Sequence, residues 1–222
     1  HDFVQGWSGD DALSVVANAS GQSVRIPGNL RAHGVAVHPS PRRRVIIGWR
    51  SPVSGVFRIA GAVQHAHPEC GNGVSWALEV RRGAARQSLA VGTAQGSREL
   101  RLGPFEGVGL TAGDVVAVVV APRDGNHACD LTAVDLEVGD GARRWNLAEE
   151  VSPSILAGNP HPDALGHPAV WHFFSEADHG AGLGTVLPAG SLLAEWQSTA
   201  DPARRRDVAA RLQRLLGNGP AG

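Results

Sequence analysis

The sequence has no methionine and no tyrosine, contains only two cysteines, and lacks a long hydrophobic run. Its longest apolar stretch, residues 115–121, has the length of a strand, whereas a helix that spans a bilayer needs about 20 apolar residues. We therefore expect no transmembrane segment. Because methionine is missing even at position 1, we expect the chain to be a processed protein or a piece of a longer one.

An excess of charge of one sign is also missing. The 20 basic residues, all of them arginine, are balanced by 21 acidic residues, and the formal net charge is −1. A nucleic-acid backbone is bound by a marked excess of positive charge, so we expect no nucleic-acid partner. With 42% apolar and 18% charged residues, the chain is instead typical of a folded protein with a sizeable core.

Common catalytic signatures are absent as well. The sequence has no GxSxG nucleophile elbow, no P-loop, no GxGxxG after a strand and no HExxH. It has no CxxCH either, so we expect no covalently bound haem. A two-carboxylate hydrolase stays open, because nothing selects a pair among the candidate acids, which are Glu69, Asp124, Asp130 and Asp163. The sequence favours a protein that is not an enzyme.

Period-two alternation fills the first three-quarters of the chain and is typical of half-buried strands. In residues 74–81 the even positions are apolar and the odd ones are mostly small or charged. Turn-forming Gly, Pro, Asp and Ser residues separate such runs, without amphipathic helices between them. We predict an all-β fold, an antiparallel β-sandwich of jelly-roll type, with residues 115–121 as a central strand because they are apolar on both faces. The predicted strands are residues 13–16, 35–38, 44–50, 56–63, 74–81, 87–91, 99–102, 115–121, 131–138 and 170–175.

The periodicity becomes helical near the end of the chain. Apolar residues from Leu192 to Leu216 recur at spacings of three and four, and Asp201 followed by Pro202 is typical of the start of a helix. A short helical tail cannot bury both of its sides alone, so we expect it to pack on the sandwich or on a neighbouring domain. The predicted organisation is a β-sandwich domain over residues 1–178, a linker over 179–188 and a helical tail over 189–222.

The two cysteines, Cys70 and Cys129, are flanked by Gly, Asn and His residues of the kind found in loops. Because no CxxC motif or zinc-finger spacing competes with a pairing between them, we predict a disulfide; two free thiols are the alternative. A bridge would bring four polar side chains into one neighbourhood: His67, Glu69, His127 and Asp130.

The position of Asp130 in its predicted strand indicates a buried carboxyl group. Asp130 shares the parity of Val134 and Val138, which we expect to face the core, and a carboxylate that points inward must be hydrogen-bonded, paired or bound to a metal. We favour an Asx-type turn in which Asp130 accepts backbone N–H bonds. One alternative is a calcium site that uses Asp124, Asp130 and loop carbonyls. The other is a transition-metal site that uses His65, His67 and His127.

A second polar segment contains Asn159, His161, Asp163 and Trp171. It combines hydrogen-bonding groups with an aromatic face, the mixture that binds sugars. Trp145 and Trp171 lie near the ends of elements, where they can be exposed. The alternative is a loop stabilised by proline and Asx turns, with Trp171 in the core. The predicted ligand-binding residues are therefore Asn159, His161, Asp163 and Trp171 together with His67, Glu69, Asn72 and His127.

The relative position of the two polar segments separates these interpretations. If both segments converge on one cleft beside an exposed tryptophan, binding or catalysis is favoured. If they lie at opposite ends of the sandwich, each is better explained as local scaffold.

Three stretches resemble a known family: CGNG at residues 70–73, DGNHACDLT at 124–132, and NPHPD with VWHF at 159–163 and 170–173. Over residues 35–216 the sequence resembles the β-sandwich regions of large secreted planctomycete-type proteins, which also carry a cytochrome-c-like segment and domains of unknown function. The resemblance implies an extracytoplasmic domain, secreted, periplasmic or at the cell surface, that binds a glycan or another ligand. It implies no particular catalytic residues.

We therefore predict a non-catalytic carbohydrate-binding-module-like domain of a secreted or cell-surface multidomain protein. Its partners would be a polysaccharide or glycan and the other domains of the parent protein. A first alternative is a structural or protein-interaction domain, which an exposed apolar face along Leu192, Trp196, Leu212 and Leu216 would favour. A second alternative is a polysaccharide lyase or hydrolase that uses His and acidic residues of the two polar segments.

Overall fold

The computed structural model describes residues 1–178 and 183–217, and of residues 216 and 217 the backbone alone. The predicted linker over 179–188 therefore falls partly outside the described residues, as does the end of the predicted tail, 218–222. The strands are β1 (Val4–Ser8), β2 (Ser14–Asn18), β3 (Val24–Ile26), β4 (Gly28–Leu30), β5 (Val35–His38), β6 (Arg43–Arg50), β7 (Gly55–His65), β8 (Val74–Arg82), β9 (Ala85–Ala94), β10 (Leu100–Leu110), β11 (Val115–Pro122), β12 (Thr132–Gly139), β13 (Arg144–Asn146) and β14 (Trp171–Ala177). The helices are α1 (Leu147–Val151), α2 (Leu192–Ser198) and α3 (Pro202–Gly217), and a 3₁₀ turn spans Ile155–Ala157.

Two antiparallel sheets form the body of the molecule. One has the order β1-β2-β5-β12-β7-β10, with β13 also paired to β12, and the other has the order β14-β6-β11-β8-β9. From β5 onward the chain crosses between the sheets after almost every strand, which is the behaviour of a jelly roll. The predicted antiparallel β-sandwich is confirmed. The strand predicted to be central, β11, is the middle strand of its sheet.

The core lies between the sheets and follows from the alternation. Val118 and Val120 of β11 belong to one buried cluster with Val134 and Leu136 of β12. Burial of each such side chain contributes about 1.5–3 kcal/mol relative to leaving it exposed. The two sheets are therefore held face to face by the apolar side chains that the period-two pattern places on their inner faces.

Trp145 is fully buried, although its place near the end of an element had left exposure open. It belongs to β13, whose pairing with β12 sets Trp145 opposite Val138. Its ring centroid lies 5.0 Å from that of Trp49 in the core. A strand of three residues is too short for alternation to reveal it, which explains why the sequence did not indicate this burial.

The tail forms two helices, as predicted, and α2 packs against α3. The Asp201 side chain accepts a hydrogen bond from the backbone of Ala203 at 2.9 Å, which confirms the predicted start of α3. Part of the predicted linker is tied to the sandwich, since Val186 and Arg86 exchange two backbone hydrogen bonds of 2.8 Å. Within the described residues, neither these helices nor α1 has the length and apolar character to cross a membrane.

The tail does not present the apolar face that an interaction domain would need along its predicted residues. Leu192, Trp196 and Leu212 are half-buried, and the side chain of Leu216 lies outside the described residues. Exposed apolar surface on the described part of the tail instead comes from Leu193 and Leu215.

The register places the two polar segments at opposite ends of the sandwich. In the pair β7–β12, His65 lies opposite Thr132 at one end, from which the loops with both cysteines extend. We call this the disulfide end. Residues 147–170 follow β13, which pairs with the other end of β12, and we call that the cleft end. The two segments therefore do not form one shared site, and the residues predicted to bind a ligand in each are better explained as local scaffold.

Candidate functional site

The predicted disulfide between Cys70 and Cys129 is confirmed. Their Cα atoms are 5.7 Å apart and the sequence separation is 59, and closing a loop of this size stabilises by about 4 kcal/mol in the chain-entropy model. The neighbouring Gly71 has a φ of 77°, and a Cβ there would collide with the carbonyl oxygen of Ala128. Glycine is therefore needed for the two loops to lie against each other.

Of the four side chains that the bridge was predicted to gather, His67 and Glu69 lie together in the loop that precedes Cys70. His67 Nε2 lies 3.7 Å from Cys70 Sγ and 3.9 Å from Glu69 Oε2. Glu69 also pairs with Arg25 of β3 at 2.8 Å, and both of these side chains are well exposed. An exposed ion pair of this kind contributes little to stability, so Glu69 stays available to other partners.

Sequence reasoning missed His38, the last residue of β5, which lies at the disulfide end near His67 and His127. Its ring centroid lies 6.1 Å from that of His127, and its Nδ1 lies 2.7 Å from the carbonyl oxygen of Pro39. Burial lowers the pKa of His38, and the nearby rings of His127 and His67 lower it further. A cavity of about 330 Å³ is lined by both His38 and His67. One indication of this position was present in the sequence: in β5 the side chains of Val35 and Val37 face the core between the sheets, so alternation places His38 on the opposite face with Ala36.

Asp130 is fully buried, which confirms its predicted inward parity. The predicted Asx-type turn is wrong, because neither carboxylate oxygen has a hydrogen-bond partner among the described residues. Burial raises the pKa of Asp130 to about 7. Within the same described part, Nδ1 of His65 and Oδ1 of Asn72 are also buried without a partner. Each buried polar group without a partner costs about 1–3 kcal/mol of folding free energy. These groups therefore destabilise the disulfide end.

The structure does not assemble the predicted metal sites. Asp124 is exposed in the turn after β11, and among the described residues no converging group of three His, Cys, Asp or Glu contains Asp124 or Asp130. His65 points its Nε2 at the carbonyl oxygen of Cys129, at 2.8 Å, and does not converge with His67 and His127. Calcium binding by the two aspartates with loop carbonyls stays a prediction.

At the cleft end, Asp163 is the centre of a hydrogen-bond network. Its Oδ2 accepts from Trp145 Nε1 at 2.7 Å and lies 2.6 Å from His167 Nδ1. Its Oδ1 accepts from the backbone N–H groups of Leu165 at 3.0 Å and His167 at 2.7 Å. Although burial raises the pKa of Asp163, the bonds from Trp145 and His167 outweigh it and hold that pKa below its ordinary value. Asp163 therefore fixes the His167 ring and does not itself face a ligand.

Trp171 is fully buried, so its ring offers no face to a sugar and the predicted stacking role is not supported. Its Nε1 donates to Oε2 of Glu150 at 2.6 Å. The strand pairing sets Trp171 opposite Trp49, a core residue. The alternative interpretation, in which Trp171 belongs to the core, is the one that the structure confirms.

His161 and Asn159 are also engaged within the scaffold. His161 is buried, with Nε2 3.0 Å from the carbonyl oxygen of Ser154. Asn159 Nδ2 donates to the carbonyl oxygen of Phe173 at 2.6 Å, and Asn159 Oδ1 accepts from the N–H of Phe173 at 3.0 Å. The bonds of Asn159 tie the segment to β14. Because the polar groups of Asn159 and His161 bond to the protein itself, they are not directed at a ligand.

The Asp163–His167 pair borders a surface cleft of about 370 Å³. Arg50, the last residue of β6, lines the same cleft, and no acidic side chain is among the described residues that line it. In the part of the chain that the structure describes, the Arg50 guanidinium has no ion pair or hydrogen bond. Burial lowers the pKa of the nearby His172, and the positive charge of Arg50 lowers it further. The cleft therefore presents an unpaired cation next to an oriented imidazole.

A smaller cavity of about 180 Å³ lies between the edge strands β1 and β14. Trp7 and Phe174 line it, and Asn159 lies at its border. The Trp7 ring stacks on Phe173 with centroids 5.4 Å apart, so one of its faces is already covered. No charged side chain is among the described residues that line this cavity, which makes it the competing place for a neutral sugar.

The sequence matches no protein-family model and no curated protein. The resemblance to secreted β-sandwich regions therefore stays a prediction. A functional proposal has to stand on the geometry of the two ends.

Proposed function

We propose that the protein is a non-catalytic carbohydrate-binding-module-like domain that binds an acidic glycan in the cleft of Arg50 and His167. The disulfide supports the predicted secreted, periplasmic or cell-surface location, because disulfides persist in oxidising compartments. Other domains of a parent protein stay its predicted partners, through the helical tail.

The observation that carries this proposal is the unpaired arginine beside a histidine that a buried aspartate holds in place. A guanidinium binds carboxylate or sulfate groups through two parallel hydrogen bonds, and such groups mark acidic glycans. Because Asp163 holds His167 Nδ1, Nε2 is the atom left to meet a sugar hydroxyl. The pyrrolidine rings of Pro52 and Pro168 line the same cleft and supply apolar surface for a sugar ring.

Isothermal titration with uronate, sulfated and neutral oligosaccharides tests the proposal. We expect the acidic ligands to bind and Arg50→Gln to weaken them about 10- to 100-fold, the value of one charge-assisted contact. Arg101→Gln is the matched control, because Arg101 is an exposed arginine of β10 that lacks an acidic partner among the described residues. Equal weakening by both variants, or no binding of any acidic glycan, would contradict the proposal.

The Asp163–His167 pair favours polysaccharide lyase as a second candidate function. A positioned histidine can act as a general base, here with Arg50 holding the uronate carboxylate. His167 Nε2 would take the proton from C5, the electron pair would form a C4=C5 double bond, and the C4–O bond would break with the leaving sugar taking a proton from solvent. Ultraviolet absorbance of the unsaturated product distinguishes this candidate from binding alone, which gives no such signal.

A further inference from the structure

Three metal-ligating atoms converge at the disulfide end, away from the cleft. His67 Nε2 and the Sγ atoms of Cys70 and Cys129 all lie within 4.8 Å of one another. In the oxidised protein the two sulfurs are bonded to each other, so neither is a thiolate. The convergence becomes chemically useful only when that bond is reduced, because the thiolate is the form that binds metal.

The spacing fits a tetrahedral centre. With Zn–S distances of about 2.3 Å and Zn–N distances of about 2.0–2.1 Å, tetrahedral geometry separates a nitrogen ligand from a sulfur ligand by about 3.6 Å, and two sulfurs by about 3.8 Å. His67 Nε2 already lies 3.7 Å from Cys70 Sγ. All three ligand atoms lie within 4.8 Å of one another, so metal binding requires the two sulfurs to separate, and Cys70 is exposed.

A carboxylate lies beside the three ligand atoms. Glu69 Oε2 lies 3.9 Å from His67 Nε2, while Glu69 Oε1 pairs with Arg25 at 2.8 Å. His67 is three residues before Cys70 in the same loop, which keeps its ring close to the two sulfurs. Water can occupy the remaining position of a tetrahedral centre.

We propose that reduction converts the Cys70–Cys129 disulfide into a Cys₂His site for a thiophilic divalent cation such as Zn²⁺, with His67 as the third protein ligand. A trialkylphosphine or a dithiol supplies the two electrons that break the S–S bond. With the phosphine, one water gives its oxygen to the phosphine oxide and its two protons to the Cys70 and Cys129 sulfurs. With the dithiol, its two thiol hydrogens pass to these sulfurs and the reductant becomes a disulfide. Metal binding then releases the two thiol protons. The metal replaces the covalent link between the same two loops.

Cobalt titration of the full chain tests this site, since Co²⁺ bound to thiolates in a tetrahedral site absorbs strongly in the visible range. We expect the phosphine-reduced protein to bind one Co²⁺ that Zn²⁺ displaces, and the oxidised protein to bind none. His67→Ala should weaken the affinity by about tenfold or more, whereas the control His127→Ala should leave it within about twofold.

Thermal unfolding monitored by circular dichroism separates a folded site from two loose thiols. We expect Zn²⁺ to raise the melting temperature of the reduced protein and to leave that of the oxidised protein unchanged. An unfolded reduced protein, the absence of a cobalt spectrum, or equal affinity of wild type and His67→Ala would each overturn the proposal.

Discussion

The two ends of the sandwich each bury an aspartate, yet they treat it in opposite ways. At the disulfide end, neither carboxylate oxygen of Asp130 has a hydrogen-bond partner among the described residues, and burial raises the pKa of Asp130 to about 7. At the cleft end, Asp163 meets two side-chain partners and two backbone N–H groups, and its pKa is lowered. Burial alone thus does not decide the charge of a carboxyl group; its partners do.

This difference also separates the functions that we assign to the ends. The ionised Asp163 orients His167 toward a cleft with an unpaired arginine, which is a preformed place for an anion. The disulfide end instead gathers sulfur and imidazole atoms around its covalent link. One end is suited to bind a ligand, and the other to respond to reduction.

The largest effect should come from Asp163→Asn. In the variant an NH₂ group replaces one carboxylate oxygen and faces other hydrogen-bond donors. Trp145 Nε1 then loses its buried acceptor, and the His167 ring loses the carboxylate that orients it. We expect the free energy of unfolding to fall by about 5 kcal/mol, measured by urea denaturation. A loss below about 1 kcal/mol would show that the network does not hold the cleft end together.

The same substitution at Asp130 should act in the opposite direction. Because the pKa of Asp130 is raised from its ordinary 3.8 to about 7, the folded state holds the proton more tightly than the unfolded state. This stabilisation is complete below about pH 4 and is lost as the pH rises to about 7, a change of about 4 kcal/mol. Urea denaturation at pH 4, 6 and 8 should show that Asp130→Asn removes this loss. Parallel pH profiles of variant and wild type would contradict the assignment.

A smaller contrast is expected from two glycines, one at each end. Gly71 and Gly141 both have a positive φ, of 77° and 86°, but only Gly71 would bring a Cβ against backbone, at Ala128. We expect Gly71→Ala to cost about 3 kcal/mol and Gly141→Ala about 1 kcal/mol in thermal unfolding. Equal costs would mean that the close approach of the disulfide-end loops is not needed.

Much of the scaffold could be predicted from the sequence, because alternation, turn residues and loop cysteines are local signals. The short strands β3, β4 and β13 escaped, since three residues carry no recognisable period. The sites were harder to predict because their partners are distant in sequence. Arg50 and His167 line the same cleft because the pairing of β6 with β14 brings their segments together, and Asp163 accepts a hydrogen bond from Trp145, which is distant in sequence.

The central claim is that the cleft end binds an acidic glycan, and backbone amide chemical shifts during a titration test it most directly. With a uronate oligosaccharide we predict shifts confined to residues 50, 51, 112, 113, 167, 169 and 170, the residues lining the cleft that carry a backbone N–H. Shifts that instead follow Trp7 and Phe174, or that follow the cysteine loops, would contradict the account.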